Sequence, residues 1–315
     1  MESMHIARIA SRLALAALLL PACLPAWAIG MDGTSPRLDG ASLSLAWGVP
    51  FAAMLASIAI LPLAAPGFWH HHFGKVAALC AAAFLVPCAL AFGWEVAAHE
   101  LLHTLTQEYV PFVVLLCALF VTAGGVRIKG SLVGTPTTNT AILAAGTLAA
   151  SVMGTTGASM LLVHPLLRAN AWRRRNAHVF VFFIFLVGNI GGALTPLGDP
   201  PLFIGFLEGV DFFWVTSRMA APMLVLALPL LVAFYVIDRI AWRGEENPPA
   251  MPAGERLGVE GTANILLLGG IVAVVLLSGT WRPGWGIRIW HSFVEIEDVA
   301  RTLALAAIVA ASWFL

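Results

Sequence analysis

The stretch VGNIGGALTPLGDPPLF, Val187 to Phe203, places side-chain oxygens among helix breakers inside an apolar run from Val179 to Phe206. Asn189 and Thr195 carry polar side chains, Asp199 carries the one formal charge, and Gly191, Gly192, Gly198, Pro196, Pro200 and Pro201 surround them. Glycine permits unusual dihedrals and close approach, and proline has no amide donor to leave unsatisfied. In hydrocarbon, backbone of this kind survives only where it lines a cavity or is buried in protein. Breaking the helix there aims two half-helix ends at one spot, the N-terminal end favouring anions and the freed carbonyls of the C-terminal end favouring cations. A carboxylate near the centre of a bilayer costs on the order of 2.5 to 3.5 kcal/mol on insertion scales, so Asp199 reads as functional. The competing reading makes Asp199 the cap of the second half-helix, with Pro200 at its first position.

A second polar stretch, MGTTGASM from Met153 to Met160, sets the hydroxyls of Thr155, Thr156 and Ser159 beside Gly154 and Gly157. Such weakly polar oxygens suit a partly dehydrated sodium ion or a carboxylate. The plainer reading is close helix packing through small residues. Upstream, Thr137, Thr138, Asn139 and Thr140 are expected to cap the helix that leads into this stretch. His99-Glu100-Leu-Leu-His103 matches the pattern in which two histidines one helical turn apart bind zinc and the glutamate acts as base, but no third ligand motif follows. A zinc protease through His99 and His103 is therefore the enzyme alternative, with a solvated loop helix as the plainer one. His70, His71 and His72 are expected in an interfacial loop, and Arg173, Arg174 and Arg175 as charges that set topology.

The elements that must position these residues are membrane helices. The chain of 315 residues is 60% hydrophobic and 11% charged, too little polar surface to coat a soluble globule. Its 17 basic and 17 acidic residues balance, so charge gives no reason to expect nucleic acid as a partner. The four cysteines show no metal or disulfide spacing, and no cofactor is expected. Apolar spans run from Leu45 to Ala65, Val76 to Trp94, Tyr109 to Val126, His178 to Leu207, Ala220 to Trp242 and Ala263 to Leu277. Between Gly130 and Arg168 the pieces, about a dozen residues each at ~1.5 Å per residue, are too short to cross, so a re-entrant hairpin is expected there.

Loop charges agree with a hairpin, because the basic flanks Arg127 with Lys129 and Arg168 with Arg173 to Arg175 then share the cytoplasmic side. Glu95, Glu100 and Glu108 fall in a short outer loop. Arg8 and Arg12 followed by an apolar stretch ending in Ala26-Trp27-Ala28 predict a bacterial signal peptide over residues 1–28, with an uncleaved first helix or a lipoprotein signal at Cys23 as alternatives. The Pro/Glu-rich stretch EENPPAMPAGE makes 243–262 a cytoplasmic linker. The final apolar run from Leu303 to Leu315, about thirteen residues, falls short of the ~20 a crossing needs, which reads as a chain cut within a helix.

GTTGASMLLVHPL followed by GNIGGALTPLGDPPLFIGF resembles the ion transporter superfamily, which holds sodium-coupled di- and tricarboxylate carriers, arsenite pumps and NhaD-type sodium/proton antiporters. The likeness is to its citrate transporter or sodium:proton antiporter branch, over roughly Phe51 to Trp242. It implies an all-α inverted-repeat transporter, homodimeric in its full-length form, multi-pass in the bacterial inner membrane. The first membrane repeat would span 29–242, with a hairpin at about 130–168 and a broken helix at about 178–207. Residues 263–315 would start an incomplete second repeat, since no second GDPP-like motif follows. Carried over, the hairpin tip matches Gly154, Thr155 and Thr156, where the carboxylate carriers have Ser-Asn-Thr. The break matches Gly198, Asp199, Pro200 and Pro201, where they have Gly-Thr-Pro-Pro. Losing Ser-Asn weakens carboxylate binding, and gaining an acid supplies a titratable group. Burial in apolar surroundings favours the protonated form of a carboxyl. Asp199 would then hold either a proton or a sodium ion, which is antiport; citrate or another carboxylate is the alternative cargo.

Overall fold

The computed structural model describes residues 43–130, 132–245, 258–289 and 292–315, with Leu38 and Gly40. The signal-peptide stretch and most of the Pro/Glu-rich linker lie outside the described residues. Seven described helical stretches are long and apolar enough to cross a membrane, as an all-α polytopic membrane protein requires. Many large apolar side chains face outward, among them Val225 and Val232 of one long helix, where a water-soluble protein would place polar ones.

The described chain forms two compact units. The smaller holds residues up to Thr106 together with Ile287–Val294. In it α1 (Val49–Ala64) and α2 (Pro66–Phe92) pack as neighbours, and α3 (Trp94–His103) packs on α2. Pro66 opens α2 at its first position, where a missing amide costs nothing, and Gly93 at φ 96° ends it. Sequence reading placed His70, His71 and His72 in a loop; they lie in the first turns of α2. There the Nδ1 atoms of His71 and His72 stand 2.9 and 3.1 Å from the carbonyl oxygens of Gly67 and Phe68. The short outer loop read around Glu95, Glu100 and Glu108 is also helical, because Trp94–Gly124 runs on as one apolar stretch.

The larger unit, Gln107–Gly286 with Glu295–Leu315, carries the polar motifs. It contains α4 (Val110–Gly124), β1 (Arg127–Lys129), α5 (Pro136–Asn170), α6 (Ala177–Phe183), α7 (Pro200–Leu207) and α8 (Phe212–Trp242). It continues with β2 (Gly258–Glu260), α9 (Thr262–Thr280) and α10 (Ile296–Trp313). β1 and β2 pair antiparallel, Ile128 opposite Val259, and Lys129 forms an ion pair with Glu260. Sequence reading began the last helix at Leu303. It starts at Ile296 and has 18 residues, because Glu297 and Arg301 are buried within it and do not end it.

α5 has 35 residues, yet it doubles back. Straight, its 31-residue separation between Asn139 and Asn170 would span roughly 45 Å at 1.5 Å per residue. Instead the two side-chain amides hydrogen-bond each other at 2.9 and 2.8 Å. The reversal is at Gly154, whose φ of 75° and ψ of 155° are open to glycine and strained for other residues. The two arms of the hairpin share a core with α6 and α8 through Leu143, Leu162, Leu166, Phe183, Val187 and Phe234. A second core joins α4, α7, α9 and α10 through Leu115, Phe203, Ile271 and Leu305.

At Gly146 the arms pack closely, since an added Cβ would stand 2.6 Å from Leu162 Cδ1 on the other arm and 2.8 Å from Val187 Cγ2. Gly146→Ala is therefore expected to lose about 1–3 kcal/mol by overpacking, read as a lower melting temperature of the purified protein in detergent. Gly74→Ala, with open space around its Cβ, should not melt lower; equal effects of the two would contradict the close packing of the arms.

Candidate functional site

The apolar run from Ala177 loses its α-helical form in steps. α6 gives way to a π-helical turn at Ile184–Asn189, a 3-10 turn at Ile190–Leu194 and an irregular stretch before α7 restarts at Pro200. Every backbone group that this break frees needs a partner in an apolar environment. The hairpin tip supplies two of them, and the break itself and α8 supply others. Thr155 N–H donates to Gly198 O at 3.3 Å, Ser151 Oγ donates to Gly191 O at 2.6 Å, and the Thr195 hydroxyl donates to Ser151 O. The same Thr195 oxygen accepts Leu197 N–H at 3.2 Å, and Thr216 of α8 donates to Leu194 O at 2.8 Å. Gly192 and Gly198 touch backbone to backbone, so that a Cβ on Gly198 would overlap Gly192 O. Only glycine fits there.

Asp199 sits at the N-cap position of α7 in extended conformation, and its carbonyl oxygen accepts Leu202 and Phe203 N–H at 3.1 and 3.2 Å. Its carboxylate makes no capping bond to the helix. Sequence reading weighed a side-chain cap at this residue; the backbone oxygen does that work, and the half-buried carboxylate stays uncommitted to it. α7 and the returning arm of the hairpin both begin at this junction, so two helix N-termini face it, while the outgoing arm and the 3-10 turn end there.

The structure thus brings Thr155, Thr195, Gly191, Gly198 and Asp199 together. It does not bring Asn189, which is exposed and donates to Ile184 O at 2.7 Å in its own turn. Thr156 is exposed, Ser159 is half-buried, and Gly157 is buried where its Cβ would stand 3.0 Å from Ala123 of α4. Gly157 therefore serves the small-residue packing weighed as its plainer role.

His99 is 2% exposed within α3, and its ring centroid lies 6.1 Å from that of His103. The intervening Glu100 accepts Leu38 N–H at 2.9 Å. Among the described residues no group of three or more His, Cys, Asp or Glu is placed to hold a metal ion.

Two polar clusters were misread or missed in the sequence. Asn139, expected to help cap α5, is fully buried; the cap is Thr135, which accepts Thr138 N–H at 3.1 Å. Asn139 Nδ2 donates to Asp238 Oδ2 at 3.0 Å and to Asn170. Arg173, read with its neighbours as a topology-setting charge, is 4% exposed and forms an ion pair with Asp238 at 2.6 Å. His178 Nε2 approaches the same Asp238 oxygen at 2.8 Å. A lone acid inside the apolar span Ala220 to Trp242 was the available signal. Arg174 and Arg175 instead stay exposed and give their backbone N–H to Glu245 at 3.1 and 2.9 Å, bonds that hold its carboxyl below the usual glutamate range. Their stabilisation is present above that usual range and fades as pH falls through the lowered value.

The second cluster lies at the start of α10. Arg301 pairs with Asp298 at 2.8 Å, and its guanidinium lies 5.9 Å over the ring of Phe203 in α7. Glu208, Asp211, Arg282, Glu295 and Glu297 are among the other polar residues that line a cavity of about 360 Å³ there. The motifs themselves hold no Lys or Arg, but α10 brings one onto α7.

Residues 40–315 of the chain match a family described as "Putative citrate transport". The chain belongs to that family. The match extends beyond the stretch from roughly Phe51 to Trp242 over which the resemblance was read, and includes α9 and α10. No curated protein and no solved structure matches the chain. It is a membrane transporter of the citrate-transporter type, and its hairpin tip and broken helix meet at one junction.

Thr195 joins the two halves of that junction. Thr195→Val leaves Ser151 O and Leu197 N–H without their partner and is expected to lose about 1–3 kcal/mol in thermal melting in detergent. Thr195→Ser keeps the hydroxyl and should melt like the parent. A Val variant as stable as the Ser variant would show that the bond contributes nothing.

Proposed function

We propose that this family member is a secondary active transporter in which Asp199 alternately holds a sodium ion and a proton. One observation carries the reading: the carbonyls of Gly191, Leu194 and Gly198 are taken by Ser151, Thr216 and Thr155, while the Asp199 carboxylate has no capping bond. A half-buried acid in an apolar protein is costly to keep charged unless a cation joins it. Proton and sodium then exclude one another, and exposing the site alternately to the two sides of the bacterial inner membrane exchanges them. Oxygens for a dehydrated cation would come from Asp199 with the hydroxyls of Thr155 and Thr195, and neither ion is a resident cofactor. In this reading the protein works as a homodimer in lipid.

Carboxylate transport is the second reading. The family's description favours it, as do the two helix N-termini that face the junction. In that case Asp199 is the coupling site and the anion sits beside it.

In proteoliposomes of the purified protein, sodium addition is expected to dissipate an imposed pH gradient, and Asp199→Asn to abolish the response. Asp199→Glu, which keeps the charge, should retain part of it. Unchanged exchange in Asp199→Asn would remove Asp199 as the shared site. Citrate uptake that proceeds without proton exchange would favour the second reading.

A further inference from the structure

The hairpin has two ends, and the sequence motifs concern only its tip. Its open end lies about fifteen residues of helix away, roughly 20 Å at 1.5 Å per residue, and is closed by a cluster no transport motif contains. Asn139 from the outgoing arm and Asn170 from the returning arm bond each other through both amides. Asp238 of α8 takes Asn139 on one oxygen, and Arg173 and His178 on the other. Arg173 also donates to Gly134 O and Asn170 Oδ1 at 3.3 and 3.2 Å, and its guanidinium lies 5.5 Å over the Trp242 ring. Gly134 N–H donates to Ala169 O at 2.9 Å, and a Cβ on Gly134 would overlap Asn170. The Arg173 and Asp238 side chains are wholly shielded from solvent.

Taking two charges out of water is expensive, and a buried ion pair often adds no stability over an apolar pair of the same shape. In some proteins a buried polar group of this kind fixes register. Here it specifies position, because its bonds are directional and come from both arms of the hairpin, from the segment after it, from α6 and from α8. Apolar packing of the arms against α6 and α8 would tolerate sliding along the helix axes. A carboxylate held on both oxygens by three side chains does not.

We propose that Arg173 and Asp238, with His178, are positioning residues. They lock the open end of the hairpin to α6 and α8, so that its tip keeps register with the broken helix at Asp199. Thr155 and Ser151 can meet Gly198 and Gly191 only while that register holds. The proposal rests on the junction being the transport site, but its register claim can be tested without transport.

The test uses the full chain in membrane vesicles, with the four native cysteines replaced and Thr156→Cys at the exposed tip as the reporter. Asp238→Asn is expected to change the rate at which a maleimide labels that cysteine several-fold and to depress exchange. Because this variant leaves Arg173 unpaired in the interior and could fail to fold, the double variant Arg173→Met with Asp238→Leu is measured beside it. The double variant should recover the melting temperature while labelling stays altered and exchange stays low. His178→Gln, which keeps a donor, should label like the parent.

Parental labelling and exchange in the double variant would overturn the proposal and leave the cluster a purely stabilising one. Exchange that survives Asp199→Asn, with labelling still altered in the double variant, would refute the ion site and leave the positioning role standing.

Discussion

The constraint on which this structure depends is that a backbone amide or carbonyl in an apolar environment must find a partner within the protein. Along an unbroken helix the condition is met locally, as in α9, which runs 19 residues without a proline while presenting apolar side chains such as Leu266 outward. At Val187 to Phe203 it cannot be met locally. The break is possible because a second element, the hairpin tip, arrives with hydroxyls and amides that match it. The two irregular stretches satisfy each other: Thr195 bonds to the hairpin's Ser151, and Ser151 and Thr155 bond to the break. The carbonyls of Gly191 and Gly198 are thereby taken, and the carboxylate of Asp199 makes no capping bond to α7.

Close approach then depends on residues without side chains. Gly192 against Gly198, Gly146 between Leu162 and Val187, and Gly134 beside Asn170 are three points at which a methyl group would push elements apart. Each sits where the hairpin meets another element or itself. The hairpin is therefore held along its whole length by two different means, apolar packing of its arms and polar bonding at its ends. Packing sets how close the arms lie, and the bonds at tip and base set how far they reach.

Much of this was legible because the period and composition of a membrane helix are local properties. The apolar spans and the helix break at GNIGGALTPLGDPP follow from where glycine, proline and hydroxyl residues interrupt long apolar runs, while the pairing of that stretch with GTTGAS was implied by the family resemblance. The cluster at the hairpin base was not legible, since Asn139, Asn170, Arg173, His178 and Asp238 lie up to 99 residues apart. Each has an ordinary local explanation, a cap, a loop residue or a flanking charge. Asn189 shows the opposite error. It stood inside the right motif, and the π-helical turn rotated it outward to bond its own chain.

The sequence by itself determined that the chain is a helical membrane protein with one broken helix, because a bilayer restricts the choices for an apolar run so severely that composition and spacing nearly suffice. It also singled out Asp199, because a carboxylate among helix breakers is costly in hydrocarbon, although a helix cap remained its plainer role. Only the tertiary structure decided which oxygens stand beside that acid and which charge lies buried with which. Hydrogen bonds act over about 3 Å, so partners distant in sequence become partners only when packing has placed their elements. For the same reason Arg173 and Arg174, neighbours in the chain, have different fates. One turns inward to Asp238 and the other stays in solvent, a choice made by the helix ends packed around them.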